Sequence, residues 1–403
     1  MSGAPVFDLH SDVHGSMKRP TRPNHKHIPC SATRWKAVAV RVLYLASTAW
    51  VVGAGSVAVA QPLGPNEVPR PDERPVFVQP SPIGDLEYRP GRGLKVGDTG
   101  LTVGGFAAIL ADRKEEGGTT HFTLDDLNLF LLFDPTPFFH VFSELGFENL
   151  VELGDTETSP EPRDGLLVDR LYGDLNLTNR LNFRFGKFFT PVGLWNEIPA
   201  EPLLWTNSRP LVTEGPFDEQ VTGGMAWGSF FPANGTLTYK LYGQFLQPLD
   251  PDPRIRPAHR SAGARLEYSS LAAWGVGSSF FSSERGGRWN HVGGLDALWR
   301  FEKGEVMSEF LIGRGDPDGR HLGGFYIQGV RELVHTLSLV GRYEYFDPGS
   351  PLRAVNLFDG GFSWRPSPYI VFTLDYLVAD RTAGIDRSEQ NLPGLRFQLS
   401  VLF

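Results

Sequence analysis

The sequence predicts an all-β fold, a sixteen-stranded antiparallel transmembrane β-barrel that follows an N-terminal signal peptide and a proline-rich linker. Three observations lead there. From residue 100 onward apolar residues recur with a period of two, the connections between such segments are by turns short and long, and tryptophans collect at one end of the segments.

The alternation is plainest in the last segment, where Leu395, Phe397, Leu399, Val401 and Phe403 share one face and Arg396, Gln398 and Ser400 the other. Leu237–Phe245 and Leu181–Phe185 repeat it. A period of two places one face in an apolar medium and the other in a polar one. The segments so read are 100–112, 121–133, 138–152, 165–178, 181–194, 217–230, 236–247, 261–270, 273–284, 289–301, 305–315, 321–332, 335–347, 353–366, 369–381 and 391–403. They are long enough for tilted strands, which need about 9–11 residues to cross a bilayer, and they are even in number.

Connections at one end are tight, as in Asp134–Pro137, Thr178–Arg180, Glu302–Gly304 and Ser367–Pro368. Those at the other end (113–120, 153–164, 195–216, 248–260, 285–288, 316–320, 348–352 and 382–390) are mostly longer and more charged. Short inner turns and long outer loops mark an outer-membrane barrel with both termini on the periplasmic side. Trp227, Trp274, Trp299 and Trp364 fall at the short-turn end, where a girdle of amphipathic rings is expected at the headgroup level.

The region before residue 93 reads as export and spacing. Arg34, Lys36 and Arg41 precede an apolar run from Val42 to Val59, and Ala58-Val59-Ala60 places signal cleavage between Ala60 and Gln61. Residues 1–33 are polar, so this segment (1–60) has an extended or misassigned start. Pro62, Pro65, Pro69, Pro71, Pro75, Pro80, Pro82 and Pro90 make 61–92 an extended periplasmic linker, and 93–403 is the barrel. The whole chain carries a net charge of −8, and after residue 60 there remain 31 basic against 44 acidic residues, or −13. No basic face for nucleic acid is expected. The sole cysteine, Cys30, lies in the export segment, which excludes a disulfide or cysteine chemistry beyond it.

Phe403 at the end of an alternating strand resembles the C-terminal signature by which bacterial outer-membrane barrels are recognised for assembly. Gly93–Gly105 resembles the opening strand of the phosphate-selective porin O and P family, and Asn182–Gly193, followed by a long loop, is similar to that family's central strand. Outer-membrane lipid, lipopolysaccharide and the barrel-assembly machinery are the expected partners, and the resemblance implies a sixteen-stranded porin, often a homotrimer. It also implies anion selectivity resting on lumenal arginines. The inward residues of this chain do not supply an uncompensated ladder: Arg170, Arg184, Lys240, Arg265, Arg300, Arg342 and Arg396 are matched by Asp126, Asp174, Glu267, Asp296, Glu309, Glu344, Asp359 and Asp375.

Loop 195–216 is the candidate constriction. As the third outer connection it has the place of the loop that folds inward in general porins. Its apolar Leu203, Leu204, Trp205, Leu211 and Val212 call for packing against the barrel wall or a neighbouring protomer, and Glu197, Glu201, Arg209 and Glu214 supply its charge. No cofactor, metal or enzymatic motif is found, and the six later histidines have no metal spacing. Asp250/Asp252 and Asp316/Asp318 are outer-loop pairs that suit solvated turns or a divalent cation bridging lipopolysaccharide. A lipid-facing hydrolase would need a Ser/His pair at the outer rim, for which only Ser282 or Ser283 with His291 is suitable. The sequence therefore predicts a passive channel for small hydrophilic solutes, near-neutral or weakly cation-preferring. An anion- or phosphate-selective porin is the first alternative, and a secreted soluble β-rich carbohydrate-binding protein is the alternative of another class. Amino-terminal sequencing of the membrane-extracted protein is expected to begin at Gln61; a start before Val42 would show that the export segment is retained.

Overall fold

The computed structural model describes residues 76–114, 120–153, 166–198, 200–214, 216–249, 258–315, 320–349, 354–380 and 393–403. Three short strands come first: β1 (Phe77–Gln79), β2 (Leu86–Arg89) and β3 (Gly93–Val96). Sixteen long ones follow. They are β4 (Leu101–Lys114), β5 (Thr120–Thr136), β6 (Phe139–Leu153), β7 (Leu166–Thr178), β8 (Leu181–Phe189), β9 (Gln220–Phe230), β10 (Gly235–Gln244) and β11 (Arg260–Ser270), then β12 (Trp274–Arg285), β13 (Arg288–Phe301), β14 (Gly304–Gly315), β15 (Arg320–Val334), β16 (Leu337–Asp347), β17 (Val355–Ser367), β18 (Ile370–Ala379) and β19 (Gly394–Leu402). Each pairs antiparallel with its chain neighbour, and β19 returns to β4 with Gly394 opposite Lys114 and Leu402 opposite Phe106. The sixteen predicted segments are these sixteen strands, and the sheet is closed.

The two faces follow from parity. Leu266, Phe280, Leu295, Phe310, Ile312, Phe325, Ile327, Leu339, Leu374 and Phe397 point outward and are exposed. Their chain neighbours Arg265, Phe281, Asp296, Glu309, Leu311, Tyr326, Gln328, Asp375 and Arg396 point inward and are buried. An apolar exterior around a polar, filled interior is the inverse of a soluble sheet, and it rules against the soluble carbohydrate-binding alternative. Among the described residues no helix is long and apolar enough to cross a membrane. Trp274, Trp299 and Trp364 lie outward at the short-turn end, with Trp274 opposite Trp299 and Trp364 stacked on Phe372 at 5.0 Å. Trp227 does not join that girdle. It lies opposite Lys240 and Asn182, and its ring packs inward on the core, one parity step away from the outer surface.

The export segment, with Ala60 and Gln61, lies outside the described residues, as does the linker up to residue 75. The rest of the stretch predicted as a linker is a paired ribbon: β1 pairs β2, β2 pairs β3, and β3 pairs the start of β4, with Leu94 opposite Val103. This ribbon occupies the edge of β4 below the point where β19 ends. Phe403 completes the seam there, exchanging backbone hydrogen bonds with Gly105 at 2.9 and 3.0 Å. Replacing Phe403 with Asp puts a charge at this apolar end of the closing strand. The outcome expected is a sharp fall in heat-modifiable barrel in the outer membrane with transcript level unchanged, read by comparing boiled and unboiled extracts.

Candidate functional site: the lumen and its inward loop

The strand predicted over 181–194 stops at Phe189, because the chain turns into the lumen. Pro191 cannot donate to a ladder, and Gly193 adopts φ +68, with no room for a side chain. A Cβ there would sit 1.7 Å from Glu309 Oε2. The loop from residue 190 to 219 then crosses the interior through two 3-10 turns, Trp195–Glu197 and Glu201–Leu203, and a short helix α1 (Leu211–Glu214).

Its apolar side chains divide. Leu211 and Val212 are buried, along with Val192, Trp195 and Phe217, in a cluster that includes Tyr326, Leu311, Phe281 and Tyr242 from the wall. The packing against the wall that was expected is therefore intramolecular for these two. Val212 lies so close to β15 that a Cβ on Gly324 would come within 2.8 Å of it. Leu204 packs at the edge of the cluster, whereas Leu203 is exposed.

The polar anchoring comes from acids on four different strands. Glu309 of β14 accepts the Trp195 N–H at 2.7 Å, Asp375 of β18 the Asn207 N–H at 2.7 Å, and Glu344 of β16 the Leu211 N–H at 2.7 Å. Asp359 of β17 accepts the Ser208 hydroxyl at 2.5 Å. An irregular buried segment must find partners for its amides outside itself, and ionised acceptors make the stronger bonds. Arg342, on the same wall as these acids, donates to Thr206 Oγ1 at 2.6 Å, to the Ser208 carbonyl at 2.8 Å and to Glu344 at 2.6 Å. Arg365 donates to the Pro202 and Leu204 carbonyls at 2.9 and 2.6 Å and lies over the Trp205 ring. Trp205 Nε1 in turn donates to Glu305 at 2.7 Å.

Most of the inward residues named from the sequence thus fall into two groups. Arg265, Asp296, Glu309, Arg342, Glu344, Asp359, Asp375 and Arg396 face inward but are covered, Arg342 being 0% exposed. Arg265 and Asp296 form a bidentate pair at 2.6 and 3.0 Å, and Arg396 lies between Asp375 and Asp112 in the register. Arg170, Arg184, Asp174, Lys240, Glu197 and Glu267 keep some exposure; Arg170 and Arg184 side chains are 14% and 23% exposed. Arg170 pairs with Glu144 at 2.5 Å and Arg184 with Asp174 at 2.7 and 2.8 Å. Asp126 faces inward opposite Ala108, and Arg300 lies at the short-turn rim 3.3 Å from Glu305.

In the loop, Glu197 binds Lys240 and comes within 3.5 Å of Arg265, and Arg209 pairs with Glu219 and donates to Asn196 at 3.1 Å. Glu201 stands in the second turn and Glu214 ends α1. At the loop's return, burial pushes the Asp218 carboxyl above its ordinary value, against the pull of its ion-pair partner Arg285. Lys187 does not reach an open lumen, since its Nζ is buried on the Val168 carbonyl at 2.7 Å.

The anchors all lie on the β10–β18 side. The wall from β4 to β7 carries instead a row of inward rings, Phe106, Phe130, Phe142 and Tyr172, with successive centroids 5.8, 5.7 and 5.4 Å apart. The Arg170 guanidinium lies over Phe142 at 4.5 Å and that of Arg184 over Tyr172 at 3.7 Å. This row and the anchoring role of Arg365 were not singled out from the sequence, although parity alone puts all five residues on the inner face.

Ser282 Oγ and His291 Nδ1 do meet, at 2.9 Å on the outward face. Among the described residues no carboxylate is hydrogen-bonded to the imidazole. Asp250, Asp252, Asp316 and Asp318 lie outside the described residues.

No family model matches the sequence, and no curated protein matches it. The structure is similar to Salmonella typhi OmpF solved with daunomycin (TM-score 0.53, 9% identity, covering 76% of this chain and 99% of that one). It is also similar to OmpT, an outer membrane protein of Vibrio cholerae (TM-score 0.52, 10% identity, 81% and 99% covered), and to its loop L8 deletion mutant (TM-score 0.51, 10% identity, 75% and 99% covered). The likeness is one of fold, that of a closed antiparallel barrel.

Replacing Val212 with Asp would bury an unpaired carboxylate between α1 and β15, at a cost of about 3–5 kcal/mol if the loop stayed in place. The loop is expected to leave the wall, raising single-channel conductance while the barrel keeps its heat shift.

Proposed function

We propose that this protein is a porin of the bacterial outer membrane, a passive diffusion channel for small hydrophilic solutes with near-neutral or weakly cation-preferring behaviour. The observation that carries the reading is the asymmetric lumen. A loop anchored against β10–β18 narrows a closed barrel, and the side left to solutes is the β4–β8 wall. On that wall Arg170 stands beside Glu144 and Arg184 beside Asp174; on the loop side Lys240 of β10 stands beside Glu197, and Arg209 beside Glu219. Paired charges hydrate a passage without giving it a strong sign, whereas a phosphate path needs positive charge left over. A homotrimer is the assembly that the porin O and P resemblance implies.

Liposomes containing the protein are expected to swell in small neutral sugars. In planar bilayers with a salt gradient the reversal potential should lie near zero or slightly to the cation side. Changing Glu197, Glu201 and Glu214 together to Gln frees Lys240 and Arg265 from one counter-charge, so the reversal potential should move toward anions, more so at low salt where screening is least. A strong anion preference in the unchanged protein would instead favour a phosphate-selective channel.

A further inference from the structure

A row of polar side chains on the outward face takes no part in the lumen. Ser282 of β12 lies opposite His291 of β13, His291 opposite Arg314 of β14, and Arg314 opposite His321 of β15. By strand parity all four share the face of the exposed Phe280, Leu295, Phe310, Ile312 and Phe325. On β12 and β13 the row stands eight residues from Trp274 and Trp299 of the short-turn girdle. At about 3.3 Å per residue and a tilt of about 40°, that is roughly 20 Å across the membrane, close to the height of the apolar band. The row therefore lies where the outer-leaflet headgroups begin. Directly below it the face is Phe280, Gly293, Ile312 and Gly323, and directly above it are Arg260, Glu284 and Trp289.

The imidazole of His291 is held in place. Ser282 Oγ engages Nδ1 at 2.9 Å, and the Phe280 ring stacks on it at 6.2 Å with an interplanar angle of 16°. That fixes the ring's other edge away from Ser282. Arg314 is exposed between the two histidines. Among the described residues the nearby acid is Glu284, which stands 3.9 Å from Arg260, whose side chain is 76% exposed. A guanidinium flanked by two imidazoles, at the boundary between an apolar wall and the headgroup layer, matches a phosphate on a lipid: the fork donates two parallel hydrogen bonds and each imidazole one more. A soluble anion would have no use for the apolar wall beneath.

We propose that Ser282, His291, Arg314 and His321 form a binding site for the phosphate of a phosphorylated outer-leaflet glycolipid, whose acyl chains descend over Phe280, Leu295, Phe310, Ile312 and Phe325. The site presupposes the outer-membrane location proposed above, which the heat shift of the folded barrel tests separately. The experiment titrates the full chain in detergent with bisphosphorylated lipid A and with the same lipid after enzymatic dephosphorylation, counting complexes by native mass spectrometry.

The phosphorylated lipid is expected to bind about tenfold tighter, as one or two charge-assisted hydrogen bonds would give. R314Q/H321Q should reduce its affinity to that of the dephosphorylated lipid while the heat shift is kept. H291Q, a milder second variant, should lose part of the preference. R331Q, outward at the opposite rim, should leave it unchanged. Equal affinity for the two lipids, a folded R314Q/H321Q or H291Q that keeps the full preference, or a loss in R331Q equal to that in R314Q/H321Q overturns the site.

Discussion

Backbone closure is the constraint on which everything else rests. In hydrocarbon each N–H and C=O must find a partner within the protein, and a sheet can meet that demand only by joining its last strand to its first. The pairing of β19 with β4 does so. Once the ring is closed, every side chain has only two places to go, and the parity of its position decides which. Arg265 and Leu266 are neighbours in the chain, yet one is sealed in a bidentate ion pair and the other faces outward.

Inside the ring a second accounting holds. The loop from 190 to 219 is irregular and largely buried, so its amides cannot be satisfied by a ladder of their own. Carboxylates from β14, β16, β17 and β18 accept hydrogen bonds from it, and Arg342 balances part of their charge while binding the same loop from its carbonyl side. The interior is thus neither a water-filled tube nor an apolar core. It is a packed half, cross-linked by ionic hydrogen bonds, beside a half whose charges are paired strand to strand.

The sequence carried the fold in unusually direct form, because a membrane barrel repeats its instruction with every second residue. All sixteen strands were legible, most with ends displaced by only a few residues. The exception, β8, ends early for a local reason at Pro191 and Gly193 that the alternation of Phe183 and Phe185 could not announce. Facing was legible for Arg342 and Glu344, but their burial was not. It depends on contacts with residues 206–211 that no period in the strand encodes. Trp227 shows the opposite error: position along the strand suggested a girdle, and parity, which decides, points it inward.

The ribbon β1–β3 bears on how such a ring can come together. Joining β19 to β4 requires the two ends of the barrel chain to meet, the strand pairing of greatest sequence separation among the described residues and the most demanding in chain entropy. The β3–β4 pairing is among the least demanding, spanning a tight turn between Val96 and Leu101. It sits on the very edge that β19 will occupy further along. A short-range hairpin thereby covers the start of β4's edge, and Phe403 closes the ring just beyond it, onto a strand that is held at that end by its own chain neighbour.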